Sequence, residues 1–458
     1  MDIHQRFAAL GCAVPEILLP KPGVDLSKWA VIACDQFSQD HDFWAKIEAE
    51  TKGGPSSLRL IYPEIYLEDK GRREQIAGIH QAMEDYLRGG VFAPPFQGFV
   101  YLERTTPYHP LRRGLVMAID LERYNWSPDT KPLIRATEGT VKERLPPRME
   151  IRRGAPLEIP HILLLIDDEH NAVLPELGRR AKARSALYRT ELRPDAGSLT
   201  GWSLDERGDW DFFAGALEAL AERAKTRYGA EDPIPTGRYT EPFLFAVGDG
   251  NHSLATAKAI WEEYKQNHRE WRTANHPARW ALVELENLYD PGIRFEPIHH
   301  LLFGVQLREI LSLLAVLPGF SCKTISSGDE LARLVEDHGA LKNRLGLIAG
   351  NEFVLTETDE PGLSTSYLQP LLDAFIRERN AAAGMDSVTI DYIHGKAELF
   401  KFAGEKTGGP PVVGVLLPPV KKSGLFETVA RTGPLPRKSF SLGEGIEKRF
   451  YLESRRLF

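Results

Sequence analysis

Cysteine is scarce in this sequence. Only Cys12, Cys34 and Cys322 occur in 458 residues, far apart and outside any CxxC or Cys/His array. That spacing excludes a disulfide scaffold and a zinc ribbon, and it suits a reducing cytosol. Long apolar runs are lacking too; none approaches the ~20 residues that a membrane-spanning helix needs. The opening MDIHQRFAALGCAVPEILLP has no basic segment followed by an apolar one. No signal peptide is therefore expected, and the expected location is cytoplasmic. Positive charge is in deficit: 57 Lys and Arg against 64 Asp and Glu leave a net −7. Sequence-independent binding to nucleic acid needs cations facing phosphates, so no nucleic-acid partner is expected. No GxSxG elbow, HExxH, Walker P-loop or GxGxxG follows a strand in the required context. That disfavours ordinary hydrolases, zinc proteases, P-loop kinases and Rossmann dehydrogenases. Nothing signals zinc, haem or flavin.

What is present is an ordinary globular composition, 42% hydrophobic and 26% charged, in a chain long enough for two or three domains. Residues 29–35 (WAVIACD) form a continuous apolar run ending in an acid, the form of a buried strand. Residues 98–104, 113–121 and 160–167 are further strand candidates. The polar stretch 135–154 between the last two reads as a solvated loop without a period of its own. Residues 210–228 repeat apolar positions at helical spacing. FLFAVGDG reads as a buried strand entering a turn, Asn251 opens the next helix, and residues 279–288 form the next strand. From about Phe303 the pattern starts afresh. The expected fold is thus α/β with mixed sheets, in two parts. An N-terminal α/β domain over residues 1–302 carries the GDGNH turn, and a smaller α/β lobe covers 303–458.

The most informative segment is GDGNHSLATAK, residues 248–258. A buried strand delivers the chain to Asp249, and Gly248 and Gly250 let the backbone turn sharply and a ligand approach closely. Asn251 is a strong N-cap type, so a helix is expected to start at once. The first N–H groups of a helix have no intrahelical partner and carry the positive end of its dipole, a ready anion site. His252 and Ser253 fall in that first turn and add donors. Lys258 lies two turns on, on nearly the same face, and leans toward the N-terminus within reach of a phosphate. Asp249 is placed to act as a base or to hold a metal-bound phosphate. A purely structural Gly/Asp/Asn turn is the alternative.

ACDQF around Asp35, LRLIYPEIYLED, TEGTVKER, GDGNHSLATAK, VELENLYDPGIRFEPIH, DYIHG and LPRKSF follow one another along nearly the whole chain. They resemble the blocks of the bacterial and archaeal domain of unknown function 1015 family, and GDGNHS is similar to that family's DGHHR turn. More distantly, the turn resembles that of the ParB/sulfiredoxin-like superfamily, which includes archaeal free-serine kinases. The resemblance implies a ParB/sulfiredoxin-like nucleotide-binding core whose turn holds the phosphates, with an acid elsewhere supporting the chemistry. Asp249, Gly250 and His252 match Asp, Gly and the second His, while Asn251 replaces the first His and Ser253 the Arg. Losing that Arg removes a bidentate phosphate donor, so another cation must substitute. Thr137, Glu138 and Thr140 match a HERT-like block with Thr in place of His. Lys142, Arg144, Arg148 and Arg152 follow as candidate cations.

Asp35 ends the first strand candidate, at the edge where open α/β sheets place ligands, and Gln36 beside it offers an amide. His299 stands after FEPI, where the family also has a His. Its neighbour His300 points to the other side of an extended chain, and no third ligand appears at metal spacing, so no metal site is assigned. His394 in DYIHG is a candidate cleft residue, or a His satisfied in a turn. Glu284 and Glu286 share one strand face, either to bind Mg²⁺ or to face water.

These features point to a phosphoryl-transfer enzyme acting on a small hydroxyl metabolite, serine being taken from the resemblance to free-serine kinases. Asp249, His252 and Glu138 would carry the chemistry. Gly248, Gly250, Asn251, Ser253, Lys142, Arg144, Arg148 and Lys258 would hold a nucleotide, ATP or ADP with Mg²⁺. Asp35, Gln36, His299 and His394 would line the substrate site. A phosphatase of a small phosphate ester such as phosphoserine is one alternative, and a non-catalytic nucleotide-sensing module is another. The expected partner is a small molecule or nucleotide, with no membrane; the oligomeric state is not legible.

Overall fold

The computed structural model describes residues 1–67, 69–228, 241–268, 276–337, 339, 341–384, 387–404 and 410–458. The chain divides into two units, one of residues 1–294 with 443–458 and one of residues 295–442. The division expected after residue 302 therefore falls at 294/295, and the C-terminal segment returns to the first unit.

Ten strands build the main sheet of the first unit. They are β1 Cys12–Ala13, β2 Phe99–Thr105, β3 Arg112–Asp120, β4 Tyr124–Asn125, β5 Ile134–Ala136, β6 Leu163–Ile166, β7 Tyr188–Glu191, β8 Ser198–Leu204, β9 Phe245–Asp249 and β10 Trp280–Asn287. Their spatial order is β7-β8-β2-β3-β10-β6-β9-β5-β4, with β1 pairing β3. The pairs β10–β6, β9–β5 and β5–β4 are parallel and the rest antiparallel, so the sheet is mixed. The fold is mixed α/β. β6 reads LLLI and is buried at every position, as a strand covered on both faces must be.

The helices that matter here are α1 Leu145–Arg152, α2 Val173–Ala181, α3 Arg207–Tyr228 and α4 Asn251–Asn267. α3 buries Phe213, Leu217, Leu220 and Ala224, one stripe at helical spacing. Phe213 meets Phe99 edge-on at 5.3 Å, the geometry that ring quadrupoles favour.

Two local expectations change. Residues 29–35 are not one strand: a short helix Leu26–Trp29, capped by Asp25, leads into the two-residue strand Val31–Ile32. That strand pairs with Phe450–Tyr451 of the C-terminal segment, a partner distant in sequence. The stretch 135–154 is not a bare loop either. It contains β5 and α1, and α1 packs on α4 with Leu145 buried and proline in its first turn, where a missing N–H costs nothing.

The second unit has seven strands: β11 Phe295–Phe303, β12 Ser321–Ile325, β13 Asn343–Ala349, β14 Glu352–Thr358, β15 Thr389–His394, β16 Val412–Leu416 and β17 Phe440–Leu442. The order is β12-β14-β13-β16-β11-β15, with β17 pairing β11. β11 takes its neighbours β15, β16 and β17 from this unit, which is why the division precedes Phe295. Leu302 and Leu347 pack with Leu368 of α5 Ser364–Ala383, while Leu301 and Ile348 pack with Leu399 of α6 Lys396–Gly404. Successive strand residues thus feed opposite faces, each covered by a helix. No described helix is long and apolar enough to cross a membrane.

Candidate functional site

The strand register assembles the site. β6 and β9 are antiparallel neighbours with Leu163 opposite Asp249, and β10 runs parallel to β6 with Glu284 opposite Leu163. Asp249 and Glu284 therefore share one row, and His161 lies just ahead of β6 at the same edge. The chain then turns into α4 through Gly250, whose φ is +78°. Gly250 is the N-cap, and Asn251, expected there, is the first helical residue and is buried. The reason is steric. A left-handed conformation costs an L-residue roughly 1–2 kcal/mol, and a Cβ on Gly250 would lie 3.2 Å from Ile162 Cα. At Gly248 a Cβ would come within 2.9 Å of Leu165 Cγ, so both glycines are needed where they stand.

Asp249 is not free. Its Oδ1 accepts the Gly250 N–H at 2.8 Å, and its Oδ2 lies 2.9 Å from Lys448 Nζ. Burial pushes this carboxyl up, but Lys448 and the Gly250 N–H outweigh it and hold it below the ordinary range. A carboxylate so occupied anchors a cation at the helix mouth and is a weak proton acceptor.

The segment 137–152 lies against the turn. Thr137 Oγ1 donates to Val247 O at 2.5 Å, and the Val141 N–H donates to His252 Nε2 at 3.2 Å. His252 thus ties this segment to α4 as an acceptor at Nε2. Glu138 is half-buried beside Thr137, and Lys142 and Arg144 are exposed in the 3₁₀ turn that precedes α1. Arg148 donates from Nε and Nη2 to Glu64 Oε1 at 2.8 and 2.5 Å, and Arg152 pairs with Glu158. Lys258 departs from expectation. Its Nζ is 2.7 Å from Glu262, one turn further along α4, and 3.7 Å from Glu122, so it is drawn away from the phosphate end.

Gln36 Nε2 donates to Asp35 Oδ1 at 3.0 Å, and Asp35 Oδ2 lies 3.8 Å from His161 Nε2, which brings Asp35 to the site. His299 and His394 belong to the second unit. His299 Nδ1 accepts the Leu417 N–H at 3.1 Å, and burial, with His300 and His394 nearby, pulls its pKa down to about 4. It is a satisfied core histidine, neutral at neutral pH. His394 ends β15 and is exposed. Glu284 and Glu286 do not face water: Glu284 pairs with Arg449 and Glu286 with Arg112, all buried.

Sequence reasoning missed four residues at this site. His161 Nε2 lies 2.8 Å from Ser253 Oγ, and its Nδ1 lies 2.8 Å from Tyr451 Oη, which accepts the Cys34 N–H at 3.1 Å. A cavity of about 130 Å³ opens beside Ser253 and His161, and Glu64 and Arg148 also line it. Burial pushes the Glu64 carboxyl up and Arg148 opposes it, leaving it above the ordinary range. Lys448 and Tyr451 come from the C-terminal segment. Glu64 stood inside the quoted block LRLIYPEIYLED and His161 at the head of an apolar strand, so each had a position but no visible partner.

Among solved structures, a conserved hypothetical protein from Pyrococcus furiosus is similar at 14% identity over 75% of this chain and 95% of that one, with a TM-score of 0.35. A free serine kinase in complex with AMP is 11% identical over 75% and 92%, with a TM-score of 0.37. SbnI with a C-terminal truncation, from Staphylococcus aureus, is 10% identical over 74% and 82%, with a TM-score of 0.30. No curated protein sequence matches. A family model described as "Protein of unknown function (DUF1015)" matches residues 18–375, most of the chain, and the chain belongs to that family.

Proposed function

We propose that this protein is a phosphoryl-transfer enzyme that binds a nucleotide, ATP or ADP with Mg²⁺, at the mouth of α4 and passes phosphate to a small hydroxyl metabolite. The observation that carries this reading is Lys448 Nζ held 2.9 Å from Asp249 at a helix N-terminus whose N-cap is a glycine. Asp249 holds the ammonium at the mouth of a 17-residue helix, where the positive end of the helix dipole adds to what a phosphate would meet. Lys448 supplies the cation that Ser253 does not, with Lys142 and Arg144 on the adjoining segment completing the clamp. Such positioning and charge neutralisation are most of what phosphoryl transfer asks of a protein. Glu64, its carboxyl raised by burial, is the base assigned to the acceptor hydroxyl.

Among the described residues no three His, Cys, Asp or Glu side chains are grouped to hold a metal. Nucleotide-borne Mg²⁺ needs only one or two carboxylates besides the phosphates, and Asp35 fits that demand. The sequence resemblance makes serine the first acceptor to try. Thermal shifts with ATP, ADP, phosphate, serine and phosphoserine, with and without Mg²⁺, followed by ³¹P NMR of the mixtures, test the reading. Phosphoserine appearing from serine and a nucleotide supports a kinase. Phosphate released from phosphoserine turns the same site into a phosphatase. A nucleotide shift without turnover makes it a sensor, and no shift with any phosphate compound removes the anion site altogether.

A further inference from the structure

We infer that Ser253 is a nucleophile activated by His161, and that it carries the phosphoryl group as a covalent phosphoserine between donor and acceptor. The inference deepens the proposed function and rests on it for the identity of the donor. Ser253 Oγ and His161 Nε2 are 2.8 Å apart, within the reach that a nucleophile and its general base require. A third group orients the base. Tyr451 Oη lies 2.8 Å from His161 Nδ1, and its ring meets the imidazole edge-on at 5.7 Å.

The base form is the tautomer with the proton on Nδ1. The Cys34 N–H occupies one lone pair of Tyr451 Oη at 3.1 Å, and the other lone pair can receive an Nδ1–H from His161. That arrangement leaves Nε2 free to accept the Ser253 proton. Asp35 Oδ2, 3.8 Å from Nε2, faces the charge that then develops on the ring. His161 is only 11% exposed, so bulk water is largely kept from the base. Both reacting groups line the 130 Å³ cavity, which provides space beside the hydroxyl. Ser253 also sits in the first turn of α4, at the positive end of the helix dipole, which favours negative charge growing on a transferred phosphoryl group.

In the first half-reaction Ser253 Oγ bonds to the terminal phosphorus of the donor, and the bond from phosphorus to the leaving oxygen breaks with its electron pair. The hydroxyl proton passes to His161 Nε2. In the second half the acceptor oxygen bonds to phosphorus, the bond to Ser253 Oγ breaks, and His161 returns its proton to that oxygen. The acceptor's own proton passes to Glu64, which lines the same cavity, and from there to solvent. With a nucleoside triphosphate and an alcohol, the products are the diphosphate, the phosphate ester and one proton.

Two reagents test this on the full chain. Incubation with γ-³²P-labelled ATP and Mg²⁺ without acceptor should give an acid-stable label, mapped by peptide mass spectrometry to Ser253, with an equimolar burst of ADP. A fluorophosphonate, which reacts with activated serines without any nucleotide, should modify the same residue. His161→Gln should slow both labelling reactions by about 10²–10⁴-fold, the usual contribution of a general base, and flatten their pH dependence while the melt stays cooperative. Because the label is mapped on the parent chain, the result does not depend on any variant folding. Labelling by the fluorophosphonate alone upholds nucleophile and base but overturns a nucleotide as donor. Phosphate transfer to an acceptor with Ser253 never labelled overturns the covalent intermediate and leaves the proposed function standing. Failure of both reagents to modify Ser253 overturns the inference outright.

Discussion

Lys448 Nζ lies 2.9 Å from Asp249 Oδ2, joining the C-terminal segment to the turn that ends β9. The lysine is nearly buried and the aspartate keeps a quarter of its surface in water. Removing either partner leaves an uncompensated charge, but the exposed edge of Asp249 softens the penalty. We expect Lys448→Met and Asp249→Asn each to cost roughly 1–3 kcal/mol, less than the ~3–5 kcal/mol of a fully buried pair. The double variant should recover much of that stability, while phosphate affinity stays lost because the cation is gone. A denaturation double-mutant cycle with a phosphate titration on the same preparations checks both statements. Parental affinity in Lys448→Met would remove Lys448 from the anion site.

Arg449, the next residue, is one of several buried groups that fasten the C-terminal segment, with Arg104 and Arg455 among the others. It pairs with Glu284, lies 2.6 Å from Glu453 through Nη2, and donates to Pro160 O at 2.9 Å through Nε. All three side chains are buried. Arg449→Met strands two carboxylates in the core, at an expected cost of ~3–5 kcal/mol. The segment should then loosen and become sensitive to protease, and fluorophosphonate labelling of Ser253 should fall as Tyr451 leaves His161. Urea melts and limited proteolysis measure this. Unchanged protection of residues 443–458 in the variant would show that the segment is held by its other contacts, those of Arg104 and Arg455 among them.

The Glu286 carboxyl is pushed up to about 8 by burial, with Arg112 at 2.8 Å opposing and Glu284 and Asp290 adding to the rise. A folded-state value above the unfolded 4.5 means that the folded chain binds this proton more tightly. Its contribution to stability is therefore largest at the acid end and declines as pH rises from about 4.5 to about 8, by up to ~1.4 kcal/mol per pH unit. Glu286→Gln removes that dependence. The stability of the variant relative to the parent should grow across this window and then level off, as read from urea denaturation at a series of pH values. A difference that stays flat would mean that Glu286 is ionised in the fold and fully matched by Arg112.

Much of the site's local structure was legible. The apolar run before Asp249, the flanking glycines and the helical spacing after them are short-range signals, and strand, turn and helix form where they indicate. The N-cap moved to Gly250 because Ile162, just ahead of β6, closes on that position, and no local propensity reports such a neighbour. Lys258 was misread for a similar reason: its reach toward the N-terminus was allowed by geometry, but Glu262 and Glu122 draw it the other way.

By itself the sequence determined the mixed α/β class, the family blocks and the turn into α4, because backbone periodicity and glycine freedom act within a few residues. Tertiary structure alone decided which side chains meet there. Lys448 and Tyr451 reach Asp249 and His161 because Phe450–Tyr451 pairs with Val31–Ile32 and Arg449 is fastened to Glu284. These contacts join residues far apart in the chain. They are selected by the burial of apolar surface and the pairing of buried charge across the whole first unit, and such global terms leave no period or spacing in the sequence.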